Sequence, residues 1–81
     1  MTDQGIFRRI NDLAGEEERL FAQAGDGQGL GEAEIARLEE IKVELDQAYD
    51  LLHQRDARRA ARLDPQDAVM RAPDVVERYQ Q

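Results

Sequence analysis

Cysteine and tryptophan are absent from this chain, histidine occurs once, and there are only two prolines and four aromatic side chains. Without cysteine no disulfide can form, and zinc sites built on thiolates are excluded as well. His53 alone leaves little beyond carboxylates for any other transition metal. No stretch approaches the roughly 18 apolar residues needed to span a bilayer, and the opening MTDQGIFRRI lacks the apolar run of a signal peptide, so the expected location is cytoplasmic, away from membranes. No catalytic, metal or nucleotide motif stands out, so the sequence predicts no cofactor and no enzyme.

What is present is charge and helical periodicity. The net charge of −7 is uneven: residues 1–50 carry 5 basic against 13 acidic side chains, and residues 51–81 carry 6 against 5. The front half repels phosphate backbones and anionic membranes, which disfavours nucleic acid as a partner. Eighty-one residues correspond to a single domain, 1–81, in which a core rarely supplies more than about 3 to 5 kcal/mol. With disulfides and cysteine-ligated zinc excluded, oligomerisation is the remaining way to add stability.

Apolar residues at Ile6, Ile10, Leu13, Leu20 and Ala24 recur at helical steps and predict a helix over about 3–24, with Phe7, Ala14 and Phe21 on the adjacent row. Thr2 or Asp3 can cap its start, and Gly25 in the left-handed conformation can end it. The glycine-rich stretch 25–31 is a turn. A second helix over about 32–63 begins with Gly31 as N-cap, Glu34 at the third helical position, and Leu30 and Ile35 as hydrophobic staple. Its stripe runs Ile35, Leu38, Ile41, Leu45, Ala48, Tyr49, Leu52, and no glycine or proline intervenes before Asp64-Pro65. That pair reads as a cap and first turn, and a short helix follows over about 74–80. The expected fold is all-α: an antiparallel helical hairpin with a coiled-coil-like seam, a long second helix, and a short C-terminal helix or docked tail.

At 1.5 Å per residue the second helix outruns the first, so the first helix should begin opposite residues 53–56 and leave the stretch to Leu63 projecting. Either the tail, through Val69, Met70, Val75, Val76 and Tyr79, or a second copy should cover this overhang. Val43 and Leu51 off the main stripe, with Phe7 and Phe21 beside it, make the apolar surface wider than a two-helix seam requires. That width predicts a homodimer.

Candidate chemistry is sparse. His53 reads as a polar helix flank, and Glu16-Glu17-Glu18 and Glu39-Glu40 read as solvated faces because the Glu-x-x-His pattern of di-metal bundles is missing. Glu17 falls where the first stripe calls for an apolar residue, and Arg55 or another subunit's arginine could pair with it. Arg55, Arg58, Arg59 and Arg62 gather at the end of the long helix, where its dipole favours cations; Arg55, Arg59 and Arg62 share a face that could hold an anion or nucleic acid. The candidate interaction surface is therefore Leu52, Arg55, Arg58, Arg59, Arg62, Leu63, Val75, Val76 and Tyr79.

The order of five features, the Ile6 to Leu13 helix, Ala24-Gly25-Asp26-Gly27, Leu45-Asp46-Gln47-Ala48-Tyr49-Asp50-Leu51-Leu52 running into Gln54-Arg55, the arginine cluster, and Val75-Val76-Glu77-x-Tyr79, resembles a family of very short bacterial proteins, commonest in actinobacteria, of unknown function. Relatives tend to carry tryptophan at Tyr49 and a serine-like cap at Gly31. The resemblance implies helical architecture and a bacterial cytosolic setting, and no activity. The leading expectation is a non-enzymatic helical interaction or regulatory protein that self-associates, with an unknown protein partner as a further possibility. An anion- or nucleic-acid-binding regulator using the arginine cluster is the alternative. A chorismate-mutase-like helical enzyme is a remote third, suggested by the aspartate, Leu-Leu and arginine pattern between Ile41 and Arg55.

Overall fold

The computed structural model describes residues 2–25 and 29–79, the last three without their side chains. Its elements are α1 (Asp3–Gln23), α2 (Glu32–Ala60), a 3-10 turn (Pro65–Asp67) and α3 (Pro73–Tyr79). The architecture is all-α, a helical hairpin followed by a folded-back tail, as the periodicity requires.

Thr2 is the N-cap of α1: its Oγ1 accepts a hydrogen bond from the Gly5 amide at 3.0 Å. Gly25 does not supply the left-handed stop. Ala24 stays in the right-handed helical region, and the left-handed residue in the described part of the turn is Gly29, at φ 68°. Residues 26–28 of the turn lie outside the described residues. Gly31 caps α2 without a side-chain hydrogen bond, and the Glu34 carboxylate curls back so closely that a Cβ on Gly31 would meet Oε2 at 2.7 Å.

α2 ends at Ala60, three residues before the expected Leu63. The terminator is Arg62, at φ 62°. The Arg62 amide donates to the Arg59 carbonyl and the Leu63 amide to the Arg58 carbonyl, at 3.0 and 2.7 Å, the paired bonds of a Schellman motif with arginine where glycine is usual. This turn leads the chain back towards the hairpin. Asp64 then caps the 3-10 turn by accepting from the Gln66 amide at 2.9 Å, with Pro65 at its first position.

The helices run antiparallel, since Arg9 pairs with Glu44 while Arg37 pairs with Glu16. Between them Ile6, Ile10, Leu13, Ile41, Ala48 and Leu52 are buried. Leu13 and Ile41 are 1% and 0% exposed. With the half-buried Leu45 between Ile41 and Ala48, spacings of 3 and 4 define a seam, with the residue before and the residue after each seam position emerging on opposite faces of the hairpin. Side chains on antiparallel helices that are displaced from the seam in the same rotational sense share a face. The molecule measures 51 × 25 × 16 Å, so it is only about two helix layers deep even where the tail lies on it.

Candidate functional site

The face formed by residues just before the seam positions is stitched by polar contacts. Arg37 grips Glu16 with both arms of the guanidinium, Nε to Oε2 at 2.6 Å and Nη2 to Oε1 at 2.9 Å, and Arg9 bonds Glu44 at 2.5 Å. The hydrogen bond from Arg37 holds the Glu16 carboxyl below its ordinary range, and Glu16, then Glu40, hold Arg37 above its own. The seam carboxylate expected to need a partner was Glu17. It is half-buried, but the interhelical pair forms one residue earlier, because Glu16 and Arg37 flank the seam on the same side.

The tail lies on this stitched face. Gln54 Nε2 donates to the Val69 carbonyl at 2.8 Å and Gln47 Nε2 to the Arg71 carbonyl at 3.1 Å, so two amides one heptad apart hold an extended strand of tail against α2. Arg71 bonds Asp50 at 3.2 Å. Val76, 2% exposed, anchors α3 on α2. Beneath the strand Leu51 is 4% exposed and packs with Ile6, Ile10, Ala48 and Leu52, while Ala68 leans on the same cluster. Leu51 therefore does not add to an open surface, as its position off the stripe suggested.

At the end of the hairpin the arginine cluster is turned inward. Arg55, 5% exposed, donates from Nε to Asp3 Oδ1 at 2.5 Å and from Nη1 to the Pro65 carbonyl at 3.2 Å. Arg59 donates to the other Asp3 oxygen at 2.6 Å and to Asp56 at 2.8 Å. Arg58 donates to the Asp64 carbonyl at 2.6 Å and lies 3.4 Å from Asp67. Helical side chains lean towards their own N-terminus, which is why arginines beyond the end of α1 reach back to it. Hydrogen bonds from Arg59 and then Arg55 depress the Asp3 carboxyl, and Asp3 raises Arg59 in return. No three-arginine face forms, because Arg62 leaves the helix in the left-handed conformation while Arg55 and Arg59 converge on one carboxylate. The partner of Arg55 is thus Asp3 and not Glu17. Among the described residues no group of three or more His, Cys, Asp or Glu could hold a metal ion.

The residues singled out from sequence therefore divide. Leu52, Arg55 and Val76 are buried, Arg58 and Val75 half-buried, and Arg59, Arg62 and Leu63 exposed. The side chain of Tyr79 lies outside the described residues.

The opposite face joins residues from both helices. Phe7 and Phe21 follow the seam residues Ile6 and Leu20, whereas Ile35 and Tyr49, expected on the core stripe, follow Glu34 and Ala48. All four emerge on the side away from the tail and are 51%, 56%, 51% and 47% exposed. Ala14 and Lys42 occupy the middle of the two rows, which run 7, 14, 21 and 35, 42, 49 at exact heptad spacing. In a two-helix coil this flank carries charge, as its opposite number does here; apolar residues in it are the mark of a helix that faces more than one neighbour. The signal was legible in the heptad register, once the seam was fixed by the buried residues.

Uncharacterised proteins of Mycobacterium bovis and of two strains of Mycobacterium tuberculosis are each 46% identical to this chain over 79 residues, spanning 96% of it and 90% of the relative. No solved structure matches it. A family described as a protein of unknown function, DUF2630, matches residues 2–81. The all-α hairpin, the ordered arginine block and this match over nearly the whole length agree: the chain belongs to the DUF2630 family.

Proposed function

We propose that this protein is a non-enzymatic helical interaction module that works by self-association through its tail-free face. The observation that carries the reading is the double row of Phe7, Phe21, Ile35 and Tyr49, each about half exposed on a hairpin that has already buried its seam. Large exposed apolar side chains grouped on one face mark an interaction site, whereas scattered ones need no explanation. The small core adds a thermodynamic motive. Among the described residues only eight apolar side chains are buried, so covering a second face would add appreciably to the stability of a chain with neither disulfide nor cysteine-bound metal.

The arginine cluster gives less support to an anion-binding role, because Arg55, Arg58 and Arg59 are engaged with carboxylates and carbonyls of their own chain. A chorismate-mutase-like site is disfavoured by the same engagements, and by Lys42 standing among the open-face rows away from the arginines.

Sedimentation equilibrium tests the reading. The native chain should run as a dimer at tens of micromolar, and Phe21→Glu should run as a monomer with unchanged far-ultraviolet circular dichroism. A native chain that stays strictly monomeric at high micromolar concentration contradicts it.

A further inference from the structure

Resting on that reading, we infer that the open face is occupied by a second copy of this chain whose α1 lies over the first copy's α2, related by a two-fold axis parallel to the helices. Two face-to-face arrangements of a hairpin have two-fold symmetry. With the axis along the helices, α1 of each copy covers α2 of the other and heights along the hairpin are preserved. With the axis across the helices, α1 covers α1, α2 covers α2, and the heights invert about the middle of each row.

The two rows decide between them. Phe7 and Tyr49 stand at about the same height, as do Ala14 and Lys42, and Phe21 and Ile35, because the pairs Arg9–Glu44 and Glu16–Arg37 on one side and Asp3–Arg55 on the other bracket this antiparallel register to within a turn. In the first arrangement Phe7 meets Tyr49, Phe21 meets Ile35, and the long Lys42 stem passes over the small Ala14 of the other copy. Its ammonium then comes within reach of Glu18, one turn beyond Ala14. In the second arrangement Lys42 meets Lys42 at the axis, placing two like charges at the centre of an apolar contact, and nothing fills the gap where Ala14 meets Ala14. At these six row positions size and charge are complementary only in the first.

The area is adequate. α1 is about 30 Å long, and two helices side by side present a strip about 20 Å wide. Each copy thus contributes on the order of 600 Å², and the total of about 1,200 Å² meets the lower bound of stable, specific interfaces. A second hairpin on this face makes an antiparallel four-helix bundle with both tails on the outside, each on its own α2.

The absence of native cysteine makes disulfide trapping a clean test. Under mild oxidation an equimolar mixture of Phe7→Cys and Tyr49→Cys chains should give the mixed disulfide dimer, while Ala14→Cys alone should stay uncrosslinked. Efficient self-crosslinking of Ala14→Cys, which sits on the axis in the other arrangement, overturns the inference. Lys42→Ala gives an independent reading by sedimentation: losing an exposed intersubunit ion pair should weaken the dimer about 2- to 5-fold. An unchanged or tighter dimer means that the lysines repel each other or lie outside the contact, and overturns it too. If the native chain is monomeric, the self-association reading itself fails; a dimer with the wrong crosslinks leaves that reading standing and removes only this arrangement.

Discussion

The two faces of the hairpin bury apolar surface by different means. On the tail side, Arg9, Glu16, Arg37 and Glu44 pair across the seam, and Gln47 and Gln54 hold the returning chain by its carbonyls. On the other side Phe7, Phe21, Ile35 and Tyr49 stand half exposed, one helical step past the seam. One sequence carries charged pairs on one flank of its seam and, on the other, Phe7, Phe21, Ile35 and Tyr49 with Ala14 and Lys42 between them. A polar flank can be completed within the chain, because each carboxylate or carbonyl has a donor nearby. An apolar flank on a two-layer molecule has no further layer of its own to pack against.

The contrast can be broken or sharpened by substitution. The largest effect is expected at the seam that supports both faces. Leu52→Asp buries an unpaired carboxylate in the Ile6, Ile10, Ala48 and Leu51 cluster, and its cost should exceed the about 3 to 5 kcal/mol available to a domain of this size. Circular dichroism at 25 °C should show an unfolded chain.

Next comes Arg55→Met, which keeps bulk in a buried site but strips one donor from Asp3 and the donor from the Pro65 carbonyl. A loss of about 1 to 3 kcal/mol is expected, read as a thermal midpoint lowered by several degrees or more. An unchanged midpoint would show that the arginine end of the hairpin contributes nothing to stability.

Acid should act through Glu16 on the stitched face and Asp3 at the arginine end of the hairpin. Asp3 and Glu16 are held below their ordinary values, so the unfolded chain takes up protons first as pH falls. The stability they supply is intact above about pH 5 and declines below about pH 4, as the pH approaches their folded values. Asp3→Asn combined with Glu16→Gln should flatten this part of the stability-pH curve; a curve unchanged from the native one would contradict the assignment. Phe21→Glu, on the open face, should leave the monomer's stability within about 0.5 kcal/mol while removing association.

The smallest effect is expected at the turn that delivers the tail. Arg62→Gly relieves a left-handed arginine costing about 1 to 2 kcal/mol but adds freedom to the unfolded chain, for a net gain of about 0.5 kcal/mol in urea titration.

Much of the fold was legible before any coordinates. Stripe spacing predicts a first helix over about 3–24, where the structure has Asp3–Gln23, and Asp64-Pro65 marks the 3-10 turn. The end of α2 was not legible, because nothing local requires an arginine to adopt φ 62°; that conformation is imposed by the carbonyls of Arg58 and Arg59 and by the tail's return to the hairpin. The candidate site was half legible. Phe7 and Phe21 stood apart as a row, but Ile35 and Tyr49 were absorbed into the core stripe because a run of 3 and 4 spacings drifts around a long helix.

Periodicity and glycine placement by themselves determined a helical hairpin and its approximate register, since helix starts, turns and seams are local or depend on repeat length. Only the tertiary structure decided that Asp3 gathers Arg55 and Arg59, that Glu16 rather than Glu17 takes Arg37, and which flank receives the tail. Each of these depends on which side chains stand at equal height on neighbouring helices, a relation between residues as far apart as 3 and 59 in the chain.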